Sequence, residues 1–129
     1  MPVAALLAAA ALAAPQPTLA PFVGTWYGHT RTIAIARDGR AVESVGDGCC
    51  DPIMDLRLRV TSPRRIGAEL VATVVVTGVR MHDRRALPPG RRPPRVGQSG
   101  TLRLRAHVLV DTVTGDNYCG NGAKPVCGA

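Results

Sequence analysis

Four cysteines are the residues of this chain best able to form covalent bonds. Cys49 and Cys50 stand side by side, and Cys119 and Cys127 lie near the C-terminus. Four cysteines in so short a chain fit two disulfides made in an oxidising compartment. Pairing Cys119 with Cys127 would leave adjacent Cys49 and Cys50 to close a strained ring, so the expected arrangement ties each member of the doublet to one C-terminal cysteine. Each such bond closes a loop of about 70 residues, a length for which chain entropy contributes roughly 4 kcal/mol. Structural zinc usually takes C-x2–4-C ligand pairs, whereas the spacings here are C-C and C-x7-C, and a redox C-x-x-C is absent.

The second chemical feature is a run of charge. Of the formal net charge of +7, the segment Arg80–Arg95 supplies +5, from six arginines and Asp83. Four prolines hold it extended and keep it from pairing as a strand. Guanidinium forks match phosphate and carboxylate, so Arg84, Arg85, Arg91, Arg92 and Arg95 are the expected contacts for an anionic partner. Nucleic acid is a poor candidate, because Phe22, Trp26, Tyr27 and Tyr118 are the only aromatic residues available to stack on bases. Phospholipid or cell-wall polymer fits an exported protein better. Arg57, Arg59, Arg103 and Arg105 alternate along two strand-like runs and would form a basic stripe on the outer face if those strands pair or lie near each other in the sheet.

Other constellations are sparse. His29, His82 and His107 lack metal-ligand spacing. Ser44, Ser62 and Ser99 are the only serines, and none stands in a G-x-S-x-G elbow. Asp47, Asp51 and Asp55 cluster around the cysteine doublet without an EF-hand pattern. No cofactor and no metal are implied.

The elements that must position these groups are short strands. The apolar, uncharged stretch from Pro2 to Ala14 reads as a signal-peptide core of about 12 residues, too short to span a bilayer. Residues 1–13 are the expected signal, cut after Ala13 or, as second choice, after Ala20. Residues 14–21 form a flexible leader, and residues 22–129 a single β domain. One strand is expected from Phe22 to about Ala36, then the Asp38-Gly39 hairpin turn and a return strand over Ala41–Val45. Leu56, Leu58 and Val60 alternate with Arg57 and Arg59, the pattern of a strand with one face in water. Ile66–Val79 is a continuous β-branched run and is expected to be central. Gly100–Val113 alternates again, with Leu102, Leu104, Ala106, Val108 and Val110 facing in and Asp111 mostly out. The prediction is an all-β chain of about five or six antiparallel strands, a small meander barrel or sandwich stapled by disulfides.

The opening Gly24-Thr25-Trp26, followed by Asp38-Gly39, resembles the start of calycin-type barrels (lipocalin-like and nitrobindin-like). That likeness implies a tryptophan, Trp26, closing the barrel bottom beside any ligand pocket. No histidine near the C-terminus stands where a haem ligand would, and the interior is expected to be filled by side chains. The chain also resembles small exported proteins of actinobacteria. The shared features are the spacing of Gly24, Trp26, His29 and Arg31, the Gly48-Cys49-Cys50 doublet, and the ending Tyr118-Cys119…Cys127-Gly128-Ala129. This second likeness implies export, disulfides and a β fold, and no particular chemistry.

The functional expectation is a non-enzymatic binding module at the cell envelope, secreted or extracytoplasmic, meeting an envelope protein or an anionic surface through the arginine segment. A carrier of a small apolar ligand near Trp26 is the alternative. An enzyme built on the Asp47–Asp55 loop ranks last.

Overall fold

The computed structural model describes residues 16–120. Eight strands follow one another: β1 (Gly24–Gly28), β2 (Arg31–Ile35), β3 (Arg40–Gly46), β4 (Pro52–Ile66), β5 (Glu69–Met81), β6 (Ser99–Arg105), β7 (Val108–Asp111) and β8 (Asp116–Cys119). Each pairs antiparallel with the next, and β8 returns to β1 through Tyr27 and Cys119, so the meander closes into a barrel. Closure gives every strand a partner on both sides, although the end of β4 beyond Val60 pairs with β5 alone. The all-β meander is as expected; the count of eight strands corrects the expected five or six.

The extra strands come from two hairpins without turn residues. Threonine and isoleucine favour extended chain, so the sequence of residues 22–36 predicts one strand. Instead Gly28 pairs with Arg31, and Thr30 takes φ 61° between them. Likewise Arg105 pairs with Val108, with Ala106 at φ 52° in the turn. Left-handed backbone is rare for alanine and rarer for β-branched threonine, so neither turn carries a glycine or asparagine signal. The Asp38-Gly39 turn is where the sequence places it. Gly39 sits at φ 87°, and a Cβ there would run into the Val60 carbonyl.

The second hidden turn has a consequence for side-chain direction. Directly paired residues of antiparallel strands share a face. Arg105 points to solvent, so Val108 does too, and the inward residues of β7 become Leu109 and Asp111. The expected inward Val108 and Val110 and outward Asp111 are therefore reversed. On β4 and β6 the sequence alternation holds: Leu56, Leu58, Val60, Leu102 and Leu104 are all buried. β5 lies between β4 and β6. Its run is continuous because Ala72, Val74 and Val76 enter the core while Val71 is also buried on the other face.

One end of the barrel is plugged. A short 3-10 turn (Ala20–Phe22) precedes β1, Phe22 is fully buried, and the Trp26 indole N–H donates to the Phe22 carbonyl at 2.9 Å. Burying a phenylalanine of this kind contributes about 1.5–3 kcal/mol. Side chains from all eight strands fill the interior.

The cysteines pair differently from the expectation. Cys49 is bonded to Cys50. Cys119 is also disulfide-bonded and sits on β8 opposite the exposed Tyr27, on the outer barrel wall. The doublet lies in the β3–β4 connection at an end of the barrel, and its two sulfurs are bonded to each other. Cys127 and the signal residues 1–13 lie outside the described residues.

Candidate functional site

Successive strands of a meander reverse direction, so its connections alternate between two ends. The β1–β2, β3–β4, β5–β6 and β7–β8 connections therefore meet at the end away from Phe22. This mouth collects features far apart in sequence: the cysteine doublet, the arginine segment and a group of acids.

The arginine segment is anchored at both feet. Arg80 belongs to β5, so the loop proper carries Arg84, Arg85, Arg91, Arg92 and Arg95 against Asp83. At its start the backbone N–H groups of His82 and Asp83 donate to the Ile53 carbonyl at 2.8 and 3.1 Å. His82 Nε2 lies 2.8 Å from Asp55 Oδ2. Asp83 accepts the Arg85 N–H at 3.0 Å and caps a 3-10 turn over Arg84–Ala86. At its end the loop exchanges hydrogen bonds with Val76, from Gly97 N–H at 2.8 Å and to Gln98 O at 2.9 Å. All five arginines are exposed, and none has a carboxylate partner among the described residues.

Held this way, the loop bends over the mouth and roofs a cleft of about 520 Å³. Leu87, Pro88, Arg91, Arg92 and Pro94 come from the loop, Val45 and Met54 from the wall, Thr114 from the β7–β8 turn and Asp116 from the start of β8. Arg31 also lines it and is ion-paired with Asp116. Arg84, Arg92 and Arg95 border a second cleft with Val79, Met81 and the largely exposed Val96. Arg85 borders neither.

Sequence reading missed a cluster of buried polar groups that tethers this turn. Glu43 and Asp111 are 0% exposed inside the barrel. The Tyr118 hydroxyl donates to Glu43 Oε1 at 2.5 Å. The Thr114 hydroxyl reaches Glu43 Oε1 at 3.1 Å and Asp111 Oδ2 at 3.3 Å, and its single proton serves one of them at a time. Asp111 Oδ1 accepts the Val113 N–H at 2.8 Å. Burial first, and then the neighbouring Asp111, push the Glu43 carboxyl up to about 9. Glu43 is therefore neutral near pH 7. Burial, then Glu43, also push the Tyr118 phenol well above its ordinary value, so it stays a donor. Glu43 Oε2 has no hydrogen-bond partner among the described residues. A signal existed for Glu43, since period two from Ala41 to Val45 runs through it. For Asp111 there was none without the Ala106 turn.

The other candidates lie apart from the cleft. Trp26 is 8% exposed in the core, bonded toward the plugged end. His29 is in the β1–β2 turn and His107 in the β6–β7 turn, at opposite ends. Asp47 spends its carboxylate on the backbone N–H groups of Cys49, Cys50 and Asp51. Arg57 and Arg59 are separated from Arg103 and Arg105 by β5, so the two strands do not pair directly, and Arg103 pairs with Glu69 at 3.4 Å. Among the described residues no helix is long and apolar enough to cross a membrane.

No protein-family model matches this chain, and no curated protein or solved structure is detectably similar to it. Its function is therefore read from its own geometry.

Proposed function

We propose that this chain is exported and acts at the cell envelope as a non-enzymatic β-barrel binding module, meeting an anionic surface through the arginine loop. The observation that carries this reading is the group of five exposed arginines without carboxylate partners on one anchored loop at one barrel end. Unneutralised guanidinium groups held together raise the local potential and attract anions. Anionic phospholipid and phosphate-bearing wall polymer both offer acceptors of the right geometry. The apolar run of Pro2–Ala14 and the disulfides support export.

The test replaces Arg84, Arg85, Arg91 and Arg92 by Ser and measures retention on isolated cell-wall material and on anionic vesicles over a range of salt. Wild-type binding should weaken with salt, and the variant should bind less with a shallower salt dependence. Unchanged retention by the variant removes the reading.

A second reading has its own observation. The cleft under the loop has about 520 Å³ and an apolar share of lining from Val45, Ile53, Met54, Leu87 and Val113, a size ordinary for small-ligand sites. It supports a carrier, with the ligand at the mouth rather than beside Trp26. Native mass spectrometry of protein recovered from its host's culture fluid distinguishes the two. Excess mass of one small molecule favours the carrier, and a bare chain favours the surface-binding module.

A further inference from the structure

The Cys49–Cys50 bond joins neighbours in sequence, so it closes no chain segment. The entropic benefit of a disulfide comes from the loop it closes in the unfolded chain, and here that loop has vanishing length. The bond is also not needed to shape its surroundings. Asp47 Oδ1 accepts the backbone N–H groups of Cys49, Cys50 and Asp51 at 3.0, 3.2 and 3.3 Å. The Asp47 N–H donates to Asp51 O at 3.0 Å, and the Gly46 N–H to Thr30 O at 2.8 Å. None of these bonds uses a sulfur atom, and together they hold the β3–β4 connection from within and tie it to the β1–β2 turn. Both cysteines are exposed, beside an open groove of about 420 Å³ shared with Arg31, Thr32 and Ser44.

We propose that Cys49 and Cys50 form a thiol–disulfide exchange site on a preformed loop, whose substrate is a dithiol. A thiolate of the dithiol attacks one cysteine sulfur, the sulfur–sulfur bond breaks, and its electron pair leaves on the other cysteine, which takes a proton from water. The second thiolate of the dithiol then attacks the mixed disulfide and releases the first cysteine, which is protonated in turn. The donor ends as a disulfide, and two electrons and two protons have passed to the doublet. This proposal is independent of the anionic-surface reading.

The test treats the folded full chain with graded dithiothreitol, blocks new thiols with iodoacetamide, and maps the alkylated peptides by mass. Cys49 and Cys50 should be alkylated at dithiothreitol concentrations at least tenfold below those that expose Cys119, with an unchanged far-ultraviolet spectrum. Added oxidised dithiothreitol should restore the doublet in unblocked protein. Release of Cys119 at the same concentration, or loss of β structure on reducing the doublet, overturns the proposal. A second arm uses the Cys49→Ser/Cys50→Ser variant, which should fold with a wild-type midpoint. Its failure to fold would make the bond structural and overturn the proposal as well.

Discussion

Glu43 on β3 and Tyr118 on β8, separated by 75 positions in sequence, meet inside the barrel through a 2.5 Å hydrogen bond from the phenol to Glu43 Oε1. This contact, with Thr114 and Asp111 beside it, connects the barrel interior to the β7–β8 turn that borders the mouth. It makes stability depend on the protonation of one buried acid.

Glu43 lies at about 9 in the folded barrel, against an ordinary value of 4.5 in the unfolded chain. The folded state holds the proton more tightly, so this stabilisation is complete below 4.5 and is lost as pH rises through 9. Within that window stability should fall by about 1.4 kcal/mol per pH unit on account of this group. Urea midpoints measured across the window should show the slope in wild type and a flatter line in Glu43→Gln, which keeps the acceptor and cannot ionise. Equal slopes in the two proteins would place the pH dependence elsewhere.

Tyr118→Phe removes the donor and leaves Glu43 Oε1 with Thr114 alone. The expected cost is about 1–3 kcal/mol, the penalty for a buried acceptor stripped of a partner. A double-mutant cycle with Glu43→Leu, which removes the acceptor, read by urea denaturation at neutral pH, should return a coupling energy of the order of 1 kcal/mol. Additive effects would mean that the two groups do not interact.

Phe22 plugs the barrel end opposite the arginine loop. Phe22→Ala should cost about 3–5 kcal/mol, because it removes a buried ring and leaves a cavity. Trp26 bonds to the backbone carbonyl of residue 22, which the substitution keeps, so indole emission can report unfolding in both proteins. A loss below about 1 kcal/mol would show that the plug contributes little.

Thr30 and Ala106 are held at φ 61° and 52°. Left-handed backbone costs an ordinary residue about 1–2 kcal/mol, and asparagine tolerates it better. Thr30→Asn and Ala106→Asn should therefore each raise the urea midpoint, by about 0.5–1 kcal/mol in stability. Two destabilised variants would refute these turn conformations.

Alternation of apolar and polar residues is a local property, and it was legible wherever a strand ran unbroken. Leu56, Leu58 and Val60 on β4, and Leu102 and Leu104 on β6, could be assigned to the core before any fold was known. The Asp38-Gly39 turn was equally plain, because Gly39 meets a backbone demand that local sequence expresses. Antiparallel all-β architecture and the breaking of the strand pattern by proline and arginine after β5 belong to the same class.

Strand number, by contrast, was decided by tertiary structure. The turns at Thr30 and Ala106 use residues that do not ask for left-handed backbone, and they are held there by the pairing of the strands on either side. Each unseen turn divides one expected strand into two, and the second inverts the inward set of β7, which is how Asp111 enters the core. The disulfide partner of Cys49 was likewise not legible in the spacing of the cysteines, and in the folded chain it is the adjacent Cys50. That mouth exists only because a closed meander returns alternate connections to one end. The arginine loop, the cysteine doublet and the tethered β7–β8 turn are distant in the chain; strand reversal brings them to one end, and closure of the sheet gathers them around one rim.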